Sequence, residues 1–201
     1  MMPNFLFKFL FPATFILIAG FFILIALITI FQKKPFILSA RWLVAVMCLC
    51  YLPSIVNTFY MGFVIGDMSL VMWLNPLMFG ILLIFFWIQM RGYMFFGISD
   101  TFFRDAILFS AQNLGFTIEE TMSKLKIKET GEEMQVAIQG WIGTAQLKAA
   151  KSDSGASVSR IATEMKSYFS SAKGNMNFLT SYFYLIVGLF MIAMSIFLFM
   201  M

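Results

Sequence analysis

The residues best suited to chemistry in this chain are lysines spaced two apart. Met122 to Lys128 reads MSKLKIK, so Lys124, Lys126 and Lys128 alternate with Leu125 and Ile127. Two later runs keep the same period: Glu133 to Gln139 (EMQVAIQ) and Thr144 to Ala149 (TAQLKA). In an extended strand, successive side chains point to opposite faces. One face of such a meander gathers Lys124, Lys126, Lys128, Gln135, Gln139, Gln146 and Lys148. A basic, amide-rich face suits anionic headgroups, a nucleotide or an acidic partner. The plainer alternative is a solvated face whose lysines discourage edge pairing. The face has neither an arginine fork nor a glycine-rich phosphate nest, although the turn Gly140–Gly143 (GWIG) lies at one end of it.

Other reactive groups are sparse. The chain has no histidine, which removes Ser–His and Cys–His nucleophile pairs and most zinc sites. Cys48 and Cys50 stand two residues apart on an expected helix, about 200° from one another; both read as small apolar residues. Glu119-Glu120 and Glu132-Glu133 are the paired carboxylates, and adjacency in sequence does not make two carboxylates converge on one pocket. There is no Walker-type loop, Rossmann glycine pattern, nucleophile elbow or metal-ligand cluster. No catalytic residue, metal or cofactor is expected.

The elements that position the lysines lie in a tract of ordinary globular composition, residues 91–177. Gly92 to Ile98 (GYMFFGI) reads as a short strand or as a continuation of the preceding helix, with Gly92 and Gly97 favouring the strand. Ser99-Asp100 resembles a helix N-cap, the helix runs to Leu114, and Gly115 closes it. The three alternating strands follow, with a turn at Glu129–Glu132 and a loop at Ser152–Gly155. A second helix spans Ser157 to Ser171, with Val158, Ile161, Ala162, Met165 and Phe169 as its apolar stripe. The order (β)αβββα predicts a small two-layer α+β sandwich, wet on one side of its sheet and dry on the other.

The rest of the chain has a different character. It is 61% hydrophobic and 12% charged overall, about half the charge of a soluble domain. Four stretches reach the roughly 20 apolar residues that a bilayer core requires: about 9–31, 42–65, 69–90 and 178–201. The expected fold class is therefore four transmembrane helices with the α+β domain inserted between the third and fourth. By domain, residues 1–90 hold three spans, 91–177 the sandwich and 178–201 the last span. Lys33, Lys34 and Arg41 lie between the first two spans, and the tract from Arg91 to Asn177 holds ten basic and nine acidic residues. Gly66-Asp67 has no basic residue, and Lys8 alone dissents. The positive-inside rule then puts the first connection and the α+β domain in the cytoplasm and both termini outside. A multi-pass protein of a bacterial inner membrane is the expected setting. The net charge of +4 follows from this topology, so nucleic acid is not an expected partner.

Inside the expected spans, Asn57 and Asn75 are placed to hydrogen-bond across a tight hairpin of the second and third helices, or to line a polar path. Pro53 and Pro76 can kink those helices. Trp42, Trp73 and Trp87 fall near span ends and suit interfacial anchoring. Trp141 lies in the soluble turn, where core packing is its commoner fate and contact with membrane or partner the alternative.

Three functions fit. The first is a non-enzymatic membrane protein whose cytoplasmic domain binds a protein, lipid or small ligand and passes that state to the helices. The second is a homo-oligomeric channel or pore-forming effector subunit, using Ala19-Gly20, Gly62, Gly80 and Gly188 for close helix contacts. The third is a lipid-modifying enzyme resting on Arg91, Asp100, Arg104 and Asp105, residues better suited to capping and pairing on a helix. Membrane lipid is the expected partner, with a second copy or a cytoplasmic protein beside it.

Overall fold

A computed structural model describes residues 6–66, 70–90, 92–121, 124–150, 155–171 and 177–200. Among these residues the chain is mixed α+β, with six α-helices and one six-stranded antiparallel sheet. It forms two compact units: Met1–Ile23, Arg41–Met90 and Leu185–Met201 in one, Leu24–Ala40 and Arg91–Tyr184 in the other.

Four helices are built almost wholly of apolar residues: α1 Phe11–Gln32, α2 Arg41–Tyr60, α3 Leu70–Gln89 and, last in the chain, α6 Leu179–Met200. Three helical stretches are long and apolar enough to cross a membrane by length and composition: Lys8–Gln32, Arg41–Phe63 and Leu179–Met200. Trp73–Gln89 is a shorter apolar helix. Within the first unit α1 meets α6 at a glycine: a Cβ on Gly188 would stand 2.6 Å from Ile23 Cγ1 and 3.2 Å from the Ala19 carbonyl. Ser195 donates to the Pro12 carbonyl at 2.9 Å. Together these contacts run α1 and α6 antiparallel. α2 packs on α3 through the stacked rings of Tyr51 and Phe79. Pro53 and Pro76 are accommodated inside their helices. The hairpin expected at Gly66-Asp67 begins with Gly66 in the left-handed region, φ 80°; Asp67 lies outside the described residues.

The sheet belongs to the second unit. Its strands are β1 Phe36–Ser39, β2 Tyr93–Phe96, β3 Ile118–Thr121, β4 Lys124–Ile127, β5 Glu133–Gln139 and β6 Thr144–Ala149, in the order β1-β2-β6-β5-β4-β3. Two helices, α4 Asp100–Asn113 and α5 Gly155–Ser171, cover one face. Phe95, Leu125, Ile127, Met134, Ala145 and Leu147 from the sheet pack against Phe103, Ile107, Val158, Ile161, Met165 and Phe169 from the helices. β2, β4, β5 and β6 supply alternate residues to this core, as the period of two requires, and β1 and β3 add the partly buried Ile37 and Ile118.

Two strands were not expected. β1 lies in the first connection, where FILS is too short and too uniformly apolar to alternate. β3 (IEET) is dominated by polar residues and reads as a loop edge. The ambiguity at Gly92 to Ile98 resolves to a strand, because α3 stops at Gln89 and Gly92 turns the chain at φ 141°. A Cβ on Gly92 would stand 2.8 Å from Lys148 Cα, so β2 reaches β6 only with glycine there. α4 ends in a Schellman motif: Phe116 N–H reaches Ala111 O at 2.8 Å and Gly115 N–H reaches Gln112 O at 3.0 Å. Ser99 holds the expected N-cap position with extended backbone, but its side chain makes no cap bond. Arg91, Met122-Ser123, Ser152–Ser154 and the 172–176 stretch lie outside the described residues, and α5 begins at Gly155.

Candidate functional site

The face of the sheet away from α4 and α5 is the one on which the sequence placed its lysines, and β3 changes its charge. Cα partners run Glu119–Lys126–Glu133 across β3, β4 and β5. Lys124 pairs with Glu133 at 3.2 Å and Lys128 with Glu119 at 3.0 Å. The continuous basic face expected from the sequence is therefore a ladder of alternating sign at β3 and β4. Exposed pairs of this kind contribute little stability, yet they take two of the four lysines away from any ligand. The spacing of the lysines could not reveal this, because the acids come from a strand with no alternation of its own.

What remains is smaller and better defined. Gln135 stands opposite Lys148, and Ala137 opposite Gln146. With Val136 they line an open hollow of about 270 Å³. Ala137 is the reason a hollow exists: its methyl group forms the floor between longer neighbours on β5 and β6. Lys148 makes no ion pair among the described residues, and two carboxamides flank it. One fixed cation between two donor–acceptor amides can hold a carboxylate or phosphate and read a neighbouring polar group. Gln139 stands apart from the hollow, where its Oε1 accepts the Thr144 hydroxyl at 3.4 Å. Toward β2 and β1 the same face becomes apolar, with Met94 opposite Gln146 and Leu38 opposite Met94.

The β5–β6 hairpin that carries the hollow ends in the Gly140–Gly143 turn, and this turn is clamped by the start of α6. Asn177 donates from Nδ2 to the Gly140 carbonyl at 2.9 Å and from its backbone N–H to the Gly97 carbonyl at 3.2 Å. Its Oδ1 accepts the Leu179 N–H at 3.0 Å, which makes it a cap of α6. The Thr180 hydroxyl bonds the carbonyls of Ile142 and Gly143. Gly143 sits at φ 67°, and a Cβ there would lie 2.7 Å from Asn177 Cβ. Sequence reasoning missed this clamp. The available signal was an asparagine just ahead of an apolar run, a helix-start pattern.

The remaining expected residues fall as follows. Asn75 bonds Tyr51 Oη through its side-chain oxygen and donates to Ser54 Oγ at 3.2 Å. The Asn57–Asn75 pairing expected across the hairpin is thus replaced by Tyr51 and Ser54. Asn57, exposed, comes six residues after Tyr51 and so projects about 120° away around the helix. Trp42 and Trp87 are exposed near one end of the α2–α3 pair, with the Arg41 guanidinium 5.3 Å from the Trp87 ring centre. Trp73 packs edge-on against Phe59 and Phe63 near the other end. Between α2 and α3, Val44, Ala45, Cys48, Leu83 and Ile84 line an open apolar groove of about 540 Å³ with Arg41 and Trp87. Asp100, Arg104 and Asp105 are exposed on α4, with the Asp100 carboxylate against Gly140. Glu129 accepts the Thr117 N–H at 2.9 Å. Its carboxyl is held below the ordinary value of 4.5, chiefly by the Thr117 side chain and then by backbone N–H groups. Among the described residues, no three of Cys, Asp and Glu cluster as metal ligands.

No protein-family model, curated protein or solved structure matches this chain significantly.

Proposed function

We propose that this chain is a multi-pass integral membrane protein, non-enzymatic, whose α+β unit binds a small anionic ligand in the Gln135–Gln146–Lys148 hollow and transmits occupancy to α6. The observation that carries the coupling is that one hairpin does two things. The β5–β6 ladder presents the hollow on its strands, and its turn is hydrogen-bonded to Asn177 and Thr180 at the start of α6. A ligand that straightens or twists this ladder acts on the helix through the three hydrogen bonds from Asn177 and Thr180 to Gly140, Ile142 and Gly143 rather than through a loose linker.

Several observations support the membrane reading. Ile16, Leu24, Phe85, Ile88, Phe190 and Phe197 are exposed on the long helices, an apolar surface that water does not tolerate on a soluble monomer. α3, at 20 residues, is about 30 Å long, so four crossings by α1, α2, α3 and α6 are the consistent count. β1, from the first connection, pairs with β2, from the long tract. Such pairing requires both to lie on one side of the bilayer, as the positive-inside rule expects. Lys33, Lys34 and Arg41 flank β1 and favour the cytoplasmic side, with both termini outside.

Isothermal titration of the full chain in zwitterionic nanodiscs, with inorganic phosphate and with acetate as probes, tests the ligand site. Binding of either that weakens about tenfold or more in Lys148→Met supports it. Equal binding by both proteins, or none of either probe, removes it. Coupling is read separately, as slower amide exchange at Gly143 and Thr180 when the probe is bound.

A second reading, homo-oligomeric assembly toward a pore, has its own observation. The α2–α3 groove is open, and Gly20 and Gly80 have nothing within 4 Å of the Cβ position. Cys48 lines that groove, so thiol cross-linking of a Cys50→Ala protein in native membranes should trap dimers. A chain that stays monomeric there excludes it.

A further inference from the structure

Trp141 is the most exposed large hydrophobic side chain among the described residues 92–184, at 70% of its full accessibility. Nothing about its backbone is loose. The turn that presents it is closed by Gly143 N–H to Gln139 O at 3.0 Å and clamped from outside by Asn177 and Thr180. Gly140 packs so closely that a Cβ would stand 2.6 Å from an Asp100 carboxylate oxygen. An indole held outward by a rigid turn is displayed, since the same chain could have folded it into the core.

Its neighbours identify what it meets. The indole contacts the Phe183 ring edge-on, with ring centres 6.4 Å apart. Phe183 belongs to an exposed stripe of α6 at helical spacing: Leu179, Tyr182, Phe183, Ile186, Leu189 and Phe190. The stripe continues without a charged residue into the apolar body of the helix. Whatever medium covers Ile186 and Phe190 therefore reaches the first turns of α6, where the indole lies. Tryptophan and tyrosine at the head of an apolar helix suit the headgroup level of a bilayer, one end apolar and the other wet.

We propose that the Gly140–Gly143 turn is a membrane-interface anchor, with Trp141 seated among lipid headgroups beside the start of α6. This rests on the membrane reading above. It adds a fifth contact between the chain and the bilayer, made by the sheet itself. The tip of the β5–β6 hairpin is then held at the lipid surface by Trp141 and to the helix by Asn177 and Thr180.

The test uses the full chain reconstituted in phosphatidylcholine vesicles, with Trp42, Trp73 and Trp87 each changed to Phe so that Trp141 is the sole indole. Lipids spin-labelled at the headgroup or brominated deep in the acyl chain serve as quenchers. The expected result is a loss of Trp141 emission of about twofold with the headgroup label, larger than with the deep label. Subtracting the emission of Trp141→Phe from that of the unchanged chain gives the same comparison without the triple substitution. Stronger quenching by the deep label overturns the proposal. Emission quenched by aqueous iodide and indifferent to both lipids overturns it in favour of a solvated turn. Emission indifferent to all three overturns it in favour of a protein contact. In each case flotation with the vesicles is measured first: a chain that does not float removes the membrane reading, while one that floats with a dry or wet Trp141 removes only this inference.

Discussion

The Thr180 hydroxyl donates to the carbonyl oxygen of Gly143 at 3.1 Å, and that oxygen also accepts the amides of Gly97 and Ile98 at 2.9 and 3.0 Å. One acceptor thus ties α6, the end of β2 and the β5–β6 turn together. Thr180 is fully buried. Thr180→Val keeps the shape and removes the donor, which should lower stability by about 1–3 kcal/mol. Thr180→Ser should lose less. Thermal unfolding of both proteins in the same detergent decides it, and equal losses would show that the hydroxyl is not what matters.

Gly92 offers a backbone prediction. Its φ of 141° and the 2.8 Å approach to Lys148 Cα both exclude a side chain. Gly92→Ala should destabilise by about 1–3 kcal/mol from the conformation alone, and more from forcing β2 away from β6. Gly155→Ala, at the exposed start of α5 with nothing within 4 Å, is the control and should be tolerated. The two are compared by the midpoint of chemical unfolding.

Three lysines of the open face, Lys124, Lys128 and Lys148, should separate into two classes. Lys124 and Lys128 are engaged by Glu133 and Glu119. Replacing either with Met should change stability by no more than about 0.5 kcal/mol and leave phosphate or acetate binding unaltered. Of the three, Lys148 should carry the ligand effect. Loss of binding on changing Lys128 would mean that the hollow has been placed on the wrong part of the sheet.

Glu129 gives the pH dependence. Its carboxyl titrates below the ordinary 4.5 because the Thr117 side chain and nearby N–H groups favour the charged form. A carboxyl depressed in the folded state adds stability that is fully present above the unfolded value and disappears as pH falls through the folded value. The stability difference between the unchanged chain and Glu129→Gln should therefore be constant above about pH 5.5 and shrink below 4.5. Unfolding midpoints measured down the acid range check this. A difference that persists unchanged below the depressed value would contradict it.

Much of the architecture was legible in the residues. Alternation in Lys124–Ile127, Glu133–Gln139 and Thr144–Ala149, and the stripe from Val158 to Phe169, identified three strands and a helix because each has a wet and a dry side. Gly115 marked the end of α4 for a conformational reason that held. The strands that escaped notice are the two edges. Edge strands are short and pair on one side only; the partner of β1 is distant in sequence, and β3, next to β4, has no alternation to mark it. The charge of the face was not legible for a related reason: the period of two put Gln135, Gln146 and Lys148 on one face of the sheet, while the charge balance there depends on Glu119 from an unseen strand. Asn75 found Tyr51 and Ser54 because packing sets the rotation of a helix that is apolar on every side, and composition carries no record of it.

The pairing of β1 with β2 has a consequence for biosynthesis. Residues 36–39 leave the ribosome long before 93–96, and two apolar helices emerge between them. Until β2 arrives, the Phe36–Ser39 segment has no neighbour to hydrogen-bond, and closing so long a loop is slow. The sheet can therefore be finished only after α2 and α3 have been synthesised, and on the membrane reading proposed above those helices enter the lipid before the sheet closes. An excised 91–177 polypeptide, deprived of β1 and of the Thr180 part of the clamp, would be born with an open apolar edge at Phe95 and Phe96 and should aggregate.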